Sequence, residues 1–190
     1  CSPDFGIQGV VDRFLQIEPK ILITCDHYFY NGKKISLLER IESILQQIPS
    51  IQKVIICSYD DSHELPKQYV SWQTILQETT LDETFEEFDF NHPLYILYSS
   101  GTTGVPKCIV HGAGGSLLEQ KKELLLHCDV KEKDNIFYFT TTGWMMWNWL
   151  VAGLSCGASL KLYDGSPFYP NKETLIQYCQ DHEFSLFGLN

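Results

Sequence analysis

"YSSGTTGVPK", residues 98–107, sets four serine and threonine hydroxyls, two glycines, a proline and a lysine directly after the apolar run "LYIL". Two readings of this segment stand side by side: an ordinary Ser/Gly-rich connection, or a loop that wraps phosphate oxygens. Gly101 and Gly104 can take backbone angles that turn successive N–H groups toward one point, forming an anion nest. Ser99, Ser100, Thr102 and Thr103 add hydroxyl donors, and Lys107 adds a compact positive charge. Hydrogen bonds to a charged acceptor contribute roughly 1.5–3 kcal/mol each. A handful would therefore hold a triphosphate without a strongly basic surface. The segment is not a Walker loop, because residue 106, where that motif requires glycine, is Pro106. Composition alone leaves both readings open.

Outward from this loop, helical and strand patterns alternate. Residues 7–17 place Ile7, Val10, Val11, Phe14 and Leu15 on one helical face, and "KILIT" follows as a short buried strand. Ser36 and Glu39 have the spacing of a capping box, opening a helix with Leu37, Leu38, Ile41, Ile44, Leu45 and Ile48 inward. "KVIIC", "LYILY", "CIVH", "IFYFT", "SLKLYD" and "FSLFG" read as further strands. Ser116 and Glu119 suggest a second capping box before a helix reaching His127. Trp144–Leu154 reads as a buried apolar helix, and Asn171 as the cap of a helix through Cys179. The alternation predicts an α/β fold, a largely parallel sheet with helices on both faces. In such sheets ligands sit beyond the carboxyl ends of strands, where segment 99–107 leaves its strand.

The chain has 190 residues and a formal net charge of −10, which argues against nucleic acid as a partner. Much of the charge lies in 58–92, where nine acids (Asp60, Asp61, Glu64, Glu78, Asp82, Glu83, Glu86, Glu87, Asp89) face Lys67 alone. That stretch reads as an acidic surface excursion, with a short element around Trp72–Leu76. Seven cysteines without a C-x-x-C pair read as reduced thiols in a reducing compartment. The longest apolar stretch, "WMMWNWLVAGL", is too short to span a bilayer, and the start carries no targeting pattern. The expectation is a cytosolic protein without a membrane partner. The six histidines show no metal-ligand spacing.

All ten positions of Y-S-S-G-T-T-G-x-P-K resemble the nucleotide-binding signature of the adenylate-forming superfamily, which includes acyl-CoA synthetases, luciferases and adenylation domains of peptide synthetases. Within it, "CSPDFG", "HPLYILYSSGTTGVPKCIVHGAGG", "TTGWMMWNW" and "LYDGSP" look most like the acetoacetyl-CoA synthetases. The resemblance implies ATP, acetoacetate and CoA as substrates, with Mg2+, and a reaction through an acyl-adenylate. It implies that Ser99, Ser100, Gly101, Thr102, Thr103, Gly104 and Lys107 grip the ATP phosphates. Trp144, Met145 and Met146 would wall the acid's pocket; helical packing in a core is the other reading of those three. It further implies that 1–190 is part of a large N-terminal domain. The catalytic lysine would lie in a small C-terminal domain beyond it, so no catalytic residue and no metal ligand falls within the chain.

Three alternatives follow. The chain could be a non-catalytic nucleotide-binding remnant, or part of a related acetyl- or propionyl-CoA synthetase. A serine hydrolase is also spelled out locally: "GLSCG" fits G-x-S-x-G with Ser155 as nucleophile, and "HGAGG", starting at His111, resembles an oxyanion motif. That motif needs a strand before the serine and a helix after it, whereas the pattern here is helix first and strand second. His111, just past the loop, is also a candidate to approach a nucleotide.

Overall fold

In the computed structural model, which describes residues 1–60, 65–78, 84–99 and 104–189, the runs "KILIT" and "KVIIC" become neighbouring parallel strands. β1 (Ile21–Cys25) pairs with β4 (Lys53–Cys57) from Ile21↔Lys53 to Cys25↔Cys57, and β4 pairs with β5 (Val70–Ser71). The central position of β4 explains its unbroken apolar run, since Val54, Ile55 and Ile56 are all buried. Helix α1 (Ile7–Phe14) and helix α2 (Leu38–Gln47) pack in the same unit. The apolar positions around α2 serve two cores. Leu37 and Ile41 join Val54, Ile56 and Tyr69, while Ile44 and Ile48 join Val10 and Val11 of α1.

Two elements here differ from the sequence reading. Ser36 does not cap α2, whose N-cap is Leu37 without a side-chain bond. Ser36 instead ends β3 (Lys33–Ser36), paired antiparallel with β2 (His27–Tyr30) through His27↔Ser36. The hairpin turn is Asn31–Gly32, both at positive φ (50° and 73°), the primed turn that Asn-Gly favours. Within the acidic stretch, β5 joins the parallel sheet and α3 (Trp72–Glu78) follows it directly, so the excursion carries a sheet edge as well as surface.

The chain divides into two compact units. This one comprises Pro3–Glu87 and Tyr98–Cys108; the other comprises Cys1–Ser2, Phe88–Leu97 and Ile109–Asn190. Strand β6 (Pro93–Tyr98) pairs with β7 (Cys108–Gly112), and β7 runs into α4 (Ala113–Lys122), followed by a π-helical stretch, Glu123–His127. Ser116 therefore lies inside a helix that starts three residues earlier. The N-cap is Gly112, and the Gly114 N–H donates to the Phe90 carbonyl at 2.8 Å.

The second unit's sheet is parallel, in the order β10 (Leu186–Gly188), β8 (Asn135–Tyr138), β9 (Ser159–Lys161). Successive β8 side chains point to opposite faces. Ile136 packs with Leu124, Val130, Ala158 and, from α5 (Met145–Ala152), Leu150 and Ala152. Phe137 stacks against Phe184 and Phe187 and meets the edge of Tyr178 from α6 (Thr174–Asp181). This sheet is covered by helices on both faces, and the α/β class with parallel pairing is established. Asn171 does not cap α6, whose N-cap is Glu173 without a side-chain bond; it shapes the turn before the helix, its Oδ1 accepting from the Glu173 N–H at 3.0 Å.

Ile136→Ala, which empties a fully buried position, is expected to lower unfolding stability by about 2–5 kcal/mol. Leu118→Ala on the exposed face of α4 should change it by less than about 0.5 kcal/mol. Urea titration followed by circular dichroism distinguishes the two.

Candidate functional site

The structure describes both ends of segment 99–107, and two hydrogen bonds close its neck. The Ser99 N–H donates to the Lys107 carbonyl at 3.0 Å, and the Lys107 N–H donates to Ser99 Oγ at 3.1 Å. A serine hydroxyl has one donor and two acceptor lone pairs, so accepting the neck bond does not use the Ser99 O–H, which donates to no other group among the described residues. Lys107 stands at the rim with its side chain exposed. Gly104 has φ 149°, in a region that residues with a Cβ rarely adopt, so the turn needs glycine there. Ser100, Gly101, Thr102 and Thr103 lie outside the described residues.

The neck rests on the C-terminal end of α1. Gln16, just past that helix, donates from Nε2 to the Pro106 carbonyl at 2.8 Å, and the Cys108 thiol donates to Gln16 Oε1 at 3.4 Å. The Tyr98 hydroxyl donates to the Arg13 carbonyl at 3.4 Å, and the Arg13 guanidinium lies over the rings of Phe5 and Tyr98. Burial, reinforced by the neighbouring Cys108 thiol, pushes the Tyr98 phenol up to about 12, so the ring stays a neutral donor. Sequence reasoning missed Arg13 and Gln16 because the apolar face of α1 dominated its reading. The available signal was the second stripe Gly9, Arg13, Gln16, at helical spacing. Arg13 fills the space that Gly9 leaves and donates to its carbonyl at 2.7 Å.

Ser99, Gly104 and Lys107 are thus brought together in one unit, while Trp144, Met145 and Met146 belong to the other. Helix α5 divides along its length. Its rear, Leu150 and Ala152, lies in the core; Trp144, in extended backbone just before the helix, and Met145 are 59% and 53% exposed, and Met146 is half-buried. Trp144 and Met145 are therefore not core residues of their unit, which leaves their side chains accessible to a ligand.

Ser155 does not sit on a nucleophile elbow. It lies on a 3₁₀ turn, Gly153–Cys156, immediately after α5, and its hydroxyl donates to the Ala152 carbonyl at 2.7 Å. The Gly157 N–H then donates to the Leu154 carbonyl, closing the helix before β9. The G-x-S-x-G spelling is a helix ending. His111 is a β7 residue, four positions past Lys107.

Comparison with known proteins bears on what this neck belongs to. The family model described as AMP-binding enzyme matches residues 1–189. The chain belongs to the AMP-binding enzyme family. Among its relatives, acetoacetyl-coenzyme A synthetase of Rhizobium meliloti (strain 1021) is 48% identical over 99% of this chain and 29% of its own length. Acetoacetyl-CoA synthetase of Xenopus tropicalis is 45% identical over 92% of this chain and 27% of its own. The solved structure of acetoacetyl-CoA synthetase from Streptomyces lividans matches with a TM-score of 0.94 at 42% identity, covering all of this chain and 29% of that one. The chain therefore spans under a third of the length of these relatives.

Ser99→Ala removes the acceptor of the Lys107 N–H. A net hydrogen bond of about 0.5–1.5 kcal/mol is lost, so the Lys107 amide should exchange roughly two- to tenfold faster. Amide hydrogen exchange by NMR reads this directly, with the Ile136 amide as an unchanged reference.

Proposed function

We propose that this AMP-binding chain supplies the ATP-phosphate grip of an acid–CoA ligase that activates acetoacetate. The acid's carboxylate attacks the α-phosphorus of ATP to give acetoacetyl-adenylate and pyrophosphate. The CoA thiol then displaces AMP to form the thioester. In this reading Ser99, Ser100, Gly101, Thr102, Thr103, Gly104 and Lys107 hold the phosphates, with Thr102 and Lys107 as the chief donors. Their work is to offset the charge that develops on the departing pyrophosphate, where preorganised donors are most effective. Mg2+ enters with ATP as part of the substrate complex, and the setting is the cytosol.

The observation that carries the proposal is the neck of segment 99–107. The reciprocal Ser99–Lys107 bonds and the Gln16 buttress hold a cation at the rim of a loop rich in small donors. Membership of the AMP-binding family supports reading that anion site as a nucleotide's. The choice of acetoacetate draws on the names of the relatives and on the exposed Trp144 and Met145, which with Met146 would limit the acid's length. No catalytic residue is assigned to these 190 residues; they form part of the ligase's large N-terminal adenylation domain, and the catalytic lysine belongs to its small C-terminal domain. Lys107 binds, and does not act on the carboxylate.

Lys107→Ala, in a chain of the relatives' full length, should slow acetoacetate-dependent ATP–pyrophosphate exchange about a hundredfold, or roughly 3 kcal/mol. Exchange at the unsubstituted rate would remove Lys107 from the site. Calorimetric titration of the 190-residue chain with ATP and Mg2+ supplies the second arm. Binding without exchange there, together with no exchange in the full-length chain, would identify a nucleotide-binding remnant. Faster exchange with acetate or propionate than with acetoacetate would reassign the acid.

A further inference from the structure

The carboxyl ends of β1 and β4 place two cysteines side by side. Cys25 is the last residue of β1, Cys57 the last of β4, and the two are direct register partners in a parallel pair. Register partners on neighbouring strands have Cα atoms about 4.8 Å apart, inside the roughly 4.4–6.8 Å window that a disulfide spans, and Cys25 also packs against the cluster that holds Val54 and Ile56. A second feature holds this juxtaposition. Asp26, the residue after Cys25, accepts on Oδ1 from its neighbour's backbone, the His27 N–H at 2.9 Å, and also from the Tyr59 N–H, two residues past Cys57, at 3.1 Å. Asp26 is buried, so this tie between the two strand ends is protected from water. Both thiols are half-buried, which leaves them within reach of a small reagent. Among the described residues no set of three or more histidine, cysteine or acidic side chains could hold a metal ion.

We infer that Cys25 and Cys57 form a reversible intrachain disulfide when the chain meets an oxidised low-molecular-weight disulfide such as oxidised glutathione. One protein thiolate attacks the reagent, forming a mixed disulfide and releasing one glutathione thiolate. The second protein thiolate attacks the protein sulfur of that mixed disulfide and releases the other. Two protein thiols are oxidised, one glutathione disulfide is reduced, and the two thiol protons end on the two glutathiones. The bond covalently joins the strand ends that Asp26 already ties. It makes a modification site independent of the nucleotide loop, and it does not rest on the proposed ligase activity.

The test equilibrates the 190-residue chain with reduced and oxidised glutathione at graded ratios, traps remaining thiols with iodoacetamide, and maps the digest by mass spectrometry. A peptide pair joined through Cys25 and Cys57, lighter than its two thiol forms by two hydrogens, should appear as the oxidised share rises and vanish with reductant. In Cys25→Ser, Cys57 should carry glutathione instead of a cross-link. The other five cysteines report non-specific oxidation. Cys25 and Cys57 both alkylated at every ratio, or either joined instead to another cysteine, would overturn the inference. Because the wild-type map decides, a variant that folds poorly does not remove the test.

Discussion

A loop that is to hold a polyanion must keep its donors open while its backbone is held still. An unrestrained Ser/Thr/Gly segment would lose ordering entropy at the moment of binding, and that loss would subtract from each charge-assisted bond. In the phosphate grip proposed for segment 99–107, the restraint is placed at the neck. Ser99 and Lys107 use main-chain groups and one hydroxyl oxygen to close on each other, and among the described residues the lysine ammonium takes no part in the closure. Pro106 has no N–H to satisfy, and its carbonyl is taken by Gln16. The neck's polar groups are thus paired without enlisting the cation.

That arrangement depends on α1 standing firm, and α1 is anchored from its other side. Val10 and Val11 pack with Ile44 and Ile48, and the residues around α2 are shared with the core over the parallel sheet. Packing therefore runs from the sheet through α2 to α1, and from α1 to the neck by way of Arg13 and Gln16. In the other unit the same economy appears in α5, whose rear secures Ile136 while its front leaves Trp144 and Met145 open. One short helix serves both a core and an accessible surface because its apolar residues are divided by position along the axis, not by face.

Much of the fold was legible from apolar runs and their punctuation. "KVIIC" is β4 residue for residue, and "LYILY" and "CIVH" each fall within one residue of β6 and β7 at either end. The capping boxes were not. Ser36 has the right spacing to Glu39, yet it ends β3 in a pair with His27 and the helix starts from an N-cap one residue later, at Leu37. Ser116 is likewise overtaken by a helix that begins as soon as β7 ends. Capping boxes mark helix starts only where no longer-range pairing claims the same backbone. The Asn31–Gly32 hairpin was readable and was overlooked, since its flanking strands are short and mostly polar or aromatic. The hydrolase spelling around Ser155 shows the reverse case: the letters fit, but the helix before them and the strand after them do not.

By itself the sequence determined the alternation of elements, the donor-rich loop after β6 and, through that loop, the family. Those properties reside in contiguous residues, where periodicity and local chemistry suffice. The tertiary structure alone decided that Ser99 turns its oxygen toward Lys107, and that Arg13 and Gln16 receive the neck from residues 85 and 90 positions away in the chain. It alone set Cys25 opposite Cys57. Each of these is a pairing between distant segments, and strand register and helix docking are fixed by the burial of whole faces, which no single stretch of chain encodes.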